Sequence, residues 1–234
     1  MSRTILLVGA TGDVGQGIAR ALIQQDWNVI AAARSAEPLE AFVGSIRSRY
    51  LAGCVGDIAS EKGATALWTA ANQIAPIDTV IVSINALSQA HQLAAWSSDD
   101  LTTFWKANLI PHFIAAKILL PRLPASGLFL GIGGGTADFV IPKLGHMSMI
   151  QAAQRMMYRS LAMEQPNGAR VRELIIASMV NGASTRDRAQ PEWLSDDEIG
   201  QYVRGLVVAP GKFPGPIVVL KSRDQIEQRT IWWG

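Results

Sequence analysis

Cysteine is almost missing from this chain of 234 residues: Cys54 stands alone. No intrachain disulfide can form, and no thiolate-rich metal site can be assembled, so no metal is expected. Long apolar runs are missing as well. The first, residues 5–8, is far shorter than the roughly 20 residues of a membrane helix, and it lacks the basic flank and cleavage site of a secretion signal. A cytoplasmic protein with no membrane partner is the expectation. Charge is sparse at 17%, the net charge is +2, and Lys and Arg do not cluster, which argues against a nucleic-acid partner. There is no fixed-period repeat, low-complexity tract or Pro/Gly/Ser linker, so residues 1–234 are expected to form a single domain.

What is present is a 49% hydrophobic composition with a regular order. Short runs of Val, Ile and Leu at 4–9, 27–33, 50–55, 78–85, 127–132, 170–177 and 216–220 alternate with helical patterns. Alternation of this kind predicts an α/β, Rossmann-like fold: a doubly wound parallel sheet of about seven strands with helices on both faces. Ser97 with Asp100 and Ser195 with Glu198 have the spacing of capping boxes at helix starts. Pro111 falls inside a helix expected from about 101 to 120, where a kink is predicted.

The stretch ILLVGATGDVGQGIARAL places Gly9, Gly12 and Gly15 where a strand turns into a helix, with Thr11, Asp13 and Val14 between them. Such a turn lets a pyrophosphate approach the backbone and the helix N-terminus, so these residues are expected to hold a dinucleotide. Asp13 is an objection, because a carboxylate repels phosphates unless it turns away. Arg34, not an acid, follows the second strand, which suits the 2′-phosphate of NADP better than the ribose diol of NAD. Asp57, followed by Ile58, could accept from an adenine amino group or cap the next helix.

The phosphate loop, Asp57-Ile58, Asn85-Ala86, Asn108 and the helix QAAQRMMYRSLAMEQ occur in the order and at the spacing of the short-chain dehydrogenase/reductase family. The chain resembles that family over almost its whole length. The resemblance implies a proton-donating Tyr, a Lys four residues later that holds the ribose and lowers the Tyr pKa, a Ser about a dozen residues earlier, and an Asn. Aligned on the helix, Met147 stands at the Tyr position, Gln151 at the Lys and Gly134 at the Ser, leaving only Asn108 of the four. Ser178-Met179 replaces the family's Pro-Gly, and Leu87 replaces the Gly of its Asn-Ala-Gly.

Methionine has no proton to give, and Gln151 could bond a ribose hydroxyl but brings no charge. His146, Thr136 and a backbone nest at Gly133–Gly135 are the candidate substitutes, although His146 points about 100° away from its neighbour Met147 on a helix. Met147 and Met179, with Trp96, Phe139 and Trp193, could make the nicotinamide end of the groove apolar. Met156, Met157 and Met163 are expected to pack, Tyr158 to pack or touch a subunit, and Arg155, Arg159, Arg170 and Arg172 to form a solvated face. Trp232-Trp233 is expected to pack on the body or on a second subunit.

The expected function is NADP(H) binding, favoured over NAD(H), with little standard carbonyl reductase activity, as a binding or redox-sensing module. One alternative is an NADPH-dependent reductase of a small apolar carbonyl or enone, protonated by His146, water or the substrate. Another is a non-catalytic structural subunit. The family's habit of pairing through its middle helices implies a homodimer or homotetramer.

Overall fold

The computed structural model describes residues 3–86, 89–164 and 168–230. Leu87, Gln165, Trp232 and Trp233 lie outside them. The strands are β1 (Thr4–Val8), β2 (Asn28–Ala33), β3 (Leu51–Val55), β4 (Thr79–Val82), β5 (Leu128–Gly134), β6 (Arg170–Ile176), β7 (Val180–Asn181), β8 (Leu194–Ser195) and β9 (Ile217–Leu220). The helices are α1 (Asp13–Ile23), α2 (Ala36–Ile46), α3 (Glu61–Ile74), α4 (Ser98–Leu119), α5 (Gly145–Glu164), α6 (Asp196–Val208) and α7 (Asp224–Thr230).

As expected, seven strands form one parallel sheet; their order is β3-β2-β1-β4-β5-β6-β9. The chain winds outward from β1 to β3, then returns to the other side of β1 with β4. That reversal opens a crevice beyond the carboxyl ends of β1 and β4, where ligands of such sheets bind. Side chains alternate between faces: Ile5 and Leu7 pack under α1, α2 and α6, while Leu6 and Val8 pack under α3, α4 and α5. Both faces are covered, which is why the strands read as continuous apolar runs. No helix among the described residues is long and apolar enough to cross a membrane.

β4 is shorter than expected because residues 83–86 leave the ladder: Ser83 N–H still donates to Val8, but Ala86 N–H is taken by the Asn108 side chain. β5 is longer, since Gly133 and Gly134 keep register with Ile175 and Ile176. Ser195 and Glu198 make the full reciprocal cap at 3.1 and 2.7 Å. Ser97 and Asp100 make half of it. Asp100 N–H donates to the Ser97 hydroxyl, but the aspartate, one methylene shorter than glutamate, accepts from that hydroxyl instead of from the backbone. α4 runs unbroken through Pro111.

α1 and α6 cross at glycines. A Cβ on Gly200 would lie 2.2 Å from the Gly17 carbonyl oxygen, whereas nothing lies within 4 Å of a Cβ on Gly44, an exposed position inside α2. The same substitution is therefore expected to act with opposite sign. Urea denaturation should find Gly200→Ala destabilising by about 1–3 kcal/mol and Gly44→Ala stabilising by roughly 0.5–1 kcal/mol.

Candidate functional site

The crevice begins at the phosphate loop. Gly9 has φ +82°, and a Cβ there would lie 2.1 Å from the Ser83 carbonyl, so glycine is needed for the turn and for the approach of β4. A Cβ on Gly15 would sit 2.2 Å from the Gly9 carbonyl, so the helix can pack on the strand only because this residue is glycine. Gly12 is exposed, and a Cβ on it would meet only the Gly9 oxygen, at 3.5 Å. It is the α1 N-cap without a side chain to bond the first turn. An anion therefore has room beside the first turn of α1, whose N–H groups have no partner within the helix, and the loop fits a dinucleotide phosphate.

Thr11 holds the loop through its carbonyl, which accepts from Gln16 at 3.0 Å, and Val14 packs against the core beneath. The objection from Asp13 is met by geometry: its carboxylate accepts from the Ser184 backbone N–H at 3.0 Å and from the Ser184 hydroxyl, away from Gly12. Arg34 is exposed just beyond β2. Asp57 does not cap α3, because Ser60 does so by accepting from Gly63. Its carboxylate bonds Ala59 N–H in a local turn at 3.0 Å, and Ile58 is buried in the core beside it. Asn85 is exposed at the carboxyl end of β4.

At the carboxyl end of β5, Gly134 and Gln151 meet directly: the Gln151 amide oxygen accepts from Gly134 N–H at 2.5 Å. Gln151, which the resemblance sets at the family's Lys position, is thus turned to the end of β5. One donor of the expected Gly133–Gly135 nest is consumed by it. Met147 is half-buried at the start of α5. His146 is fully buried, with the Trp96 ring tilted against it at 4.3 Å and Phe104 edge-on at 4.9 Å. Burial, and then the nearby His91, hold its pKa below the usual histidine range. Asn108 accepts from Ala86 N–H at 2.8 Å and donates to the Phe104 carbonyl at 2.9 Å, clamping the loop after β4 to α4.

The glycine run of β5 hides a polar seam that sequence reasoning missed. A Cβ on Gly131 would overlap the Tyr158 ring at 2.1 Å, and one on Gly133 would lie 2.5 Å from a Glu173 carboxyl oxygen. These glycines make room for partners. Tyr158 is buried and hydrogen-bonded to His112 Nδ1 at 3.0 Å, while His112 Nε2 donates to the Ile84 carbonyl at 3.2 Å. Tyr158 is therefore packing, with no face left for a subunit. Burial lowers His112 to about 4 and raises Tyr158 well above its usual value. Glu173, fully buried on β6, accepts from Gln154 at 2.9 Å, and its second oxygen has no hydrogen-bond partner among the described residues. Burial raises it to about 8, against the opposing pull of Gln154, Arg155 and Arg159. No signal in one sequence links Gly133 to Glu173.

Other expectations need correcting. Met157 packs on the core, but Met156 and Met163 are exposed on α5, because they fall on its outward stripe. Arg172 is buried and donates to the Pro210 and Gly215 carbonyls, and Arg155 is paired in two-pronged fashion with Asp138, so these two do not belong to a free basic face. Phe139 and Met179 are half exposed at the carboxyl ends of β5 and β6. Trp96 is half-buried and, with Ala86, Phe104 and Ala107, lines a cavity of about 510 Å³ beside the start of α4. Trp193 is half-buried at the base of α6, its carbonyl held by Arg223.

A family model described as enoyl-(acyl carrier protein) reductase matches residues 9–223. The chain is 22% identical over 214 residues to an uncharacterized oxidoreductase, YvrD, of Bacillus subtilis, covering 90% of this chain and 75% of that one. A serine 3-dehydrogenase of Agrobacterium fabrum is 41% identical over 71 residues, 29% of this chain and 28% of that one. An alcohol dehydrogenase from Thermococcus sibiricus, solved with 5-hydroxy-NADP, superposes with a TM-score of 0.82 at 21% identity over 95% of this chain and 97% of its own. A Brucella melitensis short-chain dehydrogenase/reductase gives 0.81 at 22%, over 94% of each. With the phosphate loop, the strand order and a family match across nearly the whole length, the chain belongs to the short-chain dehydrogenase/reductase family.

Proposed function

We propose that this protein binds NADP(H) in preference to NAD(H) and has little standard carbonyl reductase activity, serving as a binding or redox-sensing module. The observation that carries this reading is the Gln151–Gly134 bond beside Met147: the helix that would bring a proton donor and a ribose-holding cation brings neither. Losing general acid catalysis costs about 10²–10⁴ in rate. When bound, the dinucleotide would supply hydride chemistry. Gly9, Gly12 and Gly15 would hold its phosphates, Asn85, Ala86 and Asp57 would line its path, and Arg34 would meet the 2′-phosphate. The alcohol dehydrogenase solved with 5-hydroxy-NADP is consistent with that choice.

Fluorescence titration tests it. Saturable NADPH binding is expected, with Arg34→Glu weakening NADPH by roughly tenfold or more and leaving NADH unchanged or better bound. Absence of saturable NADPH binding removes the sensing role.

A second reading is favoured by the description of the matching family model and by the apolar side chains of Phe139 and Met179, half exposed at the carboxyl ends of β5 and β6, and of Met147 at the start of α5. Conjugate reduction of an enone would place hydride from NADPH on the β-carbon, and solvent would protonate the α-carbon of the resulting enolate, so no tyrosine is required. NADPH oxidation across a carbonyl and enone panel, with His146→Ala as control, separates the two readings. The exposed Ile110 and Phe113 on α4 and Met156 on α5 fit pairing of two or four copies through these helices, which native mass measurement reads directly.

A further inference from the structure

Asp13 occupies the first turn of α1, and Ser184 lies 171 residues away in sequence. The segment 178–188 leaves the carboxyl end of β6 and comes against the start of α1 before entering α6. Its base is pinned where β7 pairs with β8, Val180 with Leu194 and Asn181 with Ser195. Its turn is internally bonded: Thr185 Oγ accepts from Gly182 N–H at 3.0 Å and donates to the Val180 carbonyl at 2.7 Å. The tip reaches the phosphate loop through Asp13, whose carboxylate takes both the N–H and the hydroxyl of Ser184. The approach is close, since a Cβ on Gly182 would fall 2.3 Å from the Asp13 Cβ.

We propose that Asp13 is a latch that holds segment 178–188 against the phosphate loop, a positioning residue that tightens dinucleotide binding through that segment although its own charge opposes phosphate. The two effects of the carboxylate have opposite signs, which makes them separable. If Asp13 mainly faced the phosphates, removing its charge would tighten NADPH binding. As a latch, its removal frees a segment that must then be ordered when ligand binds, and affinity falls. The geometry selects the second. Gly12 is open, while both carboxylate oxygens are engaged on Ser184. The affinity side of this inference rests on the dinucleotide reading above, whereas the holding of the segment does not.

Hydrogen exchange on the whole protein without ligand is the primary experiment. In Asp13→Ala, amides of residues 182–188 should exchange at least about tenfold faster, with α6 amides unchanged. Ser184→Ala, which keeps the backbone donor, should give a smaller change in the same direction, and Ser184→Thr should restore the parent rate. NADPH affinity should fall by roughly five- to tenfold in Asp13→Ala, with the double variant no weaker than Asp13→Ala alone. Unchanged exchange in Asp13→Ala, or tighter NADPH binding, overturns the latch. Should the parent protein fail to bind NADPH, the proposed function falls, and the exchange comparison alone decides the latch.

Discussion

The triple variant Gly134→Ser/Met147→Tyr/Gln151→Lys is expected to reduce simple aldehydes and ketones with NADPH at least about 100-fold faster than the parent protein. The backbone is ready for it. Gly134 has φ −113° and ψ 154°, which any residue adopts, and a Cβ there meets only the Gln151 side chain, at 3.5 Å and beyond. Replacing Gln151 releases the Gly134 N–H, which water can take up at this half-buried position. A lysine one turn after the new tyrosine supplies the positive charge that lowers the phenol pKa toward working pH. Groups that act as a unit are not additive, so Met147→Tyr alone should gain little. Steady-state NADPH oxidation, compared at equal cofactor occupancy, measures the gain. A folded triple variant that binds NADPH yet stays inert would mean that the nicotinamide does not lie over the start of α5.

Stability should depend on pH through Glu173. Its carboxyl is raised from 4.5 to about 8 in the native state by burial, so between those values the folded protein keeps a proton that the unfolded chain has lost. Its contribution is fully present below pH 4.5 and is lost as pH rises through about 8. Each unit of that window costs about 1.4 kcal/mol, which sums to a few kcal/mol at most. Glu173→Gln has nearly the same shape, keeps an oxygen for Gln154, and cannot ionise. Urea denaturation should find the two proteins within about 1 kcal/mol at pH 4, with the glutamine variant ahead by roughly 3–4 kcal/mol at pH 8. A constant difference across that range would mean that the carboxyl is ionised in the fold.

Arg155 gives this acid a link to the crevice. It is committed to Asp138, one residue before the exposed Phe139, and it is also among the charges that act on Glu173. The energetic cost of the buried acid and the placement of the segment that carries Phe139 therefore share one guanidinium. Removing the ionisable group should leave that pair untouched at neutral pH, which lets the stability experiment be read without a change at the site.

Much of this molecule follows from neighbouring residues alone. Runs of Val, Ile and Leu specify strands, and glycines 9, 12 and 15 between a strand and a helix specify a phosphate loop. Ser195 and Glu198, three apart, specify a cap, because periodicity, turn geometry and capping act over a few residues. Tertiary structure decided the rest. Gly131 reads as an ordinary strand residue and Gly133 as part of a nest, but they leave spaces that Tyr158 and Glu173 fill. Asp13 looks like a defect in a phosphate loop until Ser184 is brought to it. Gly17 and Gly200 carry no local signal at all. Each of these depends on which surfaces meet after the chain winds outward from β1 and returns at β4. A side chain's partner across such a gap is selected by packing in three dimensions, which spacing along the chain does not encode.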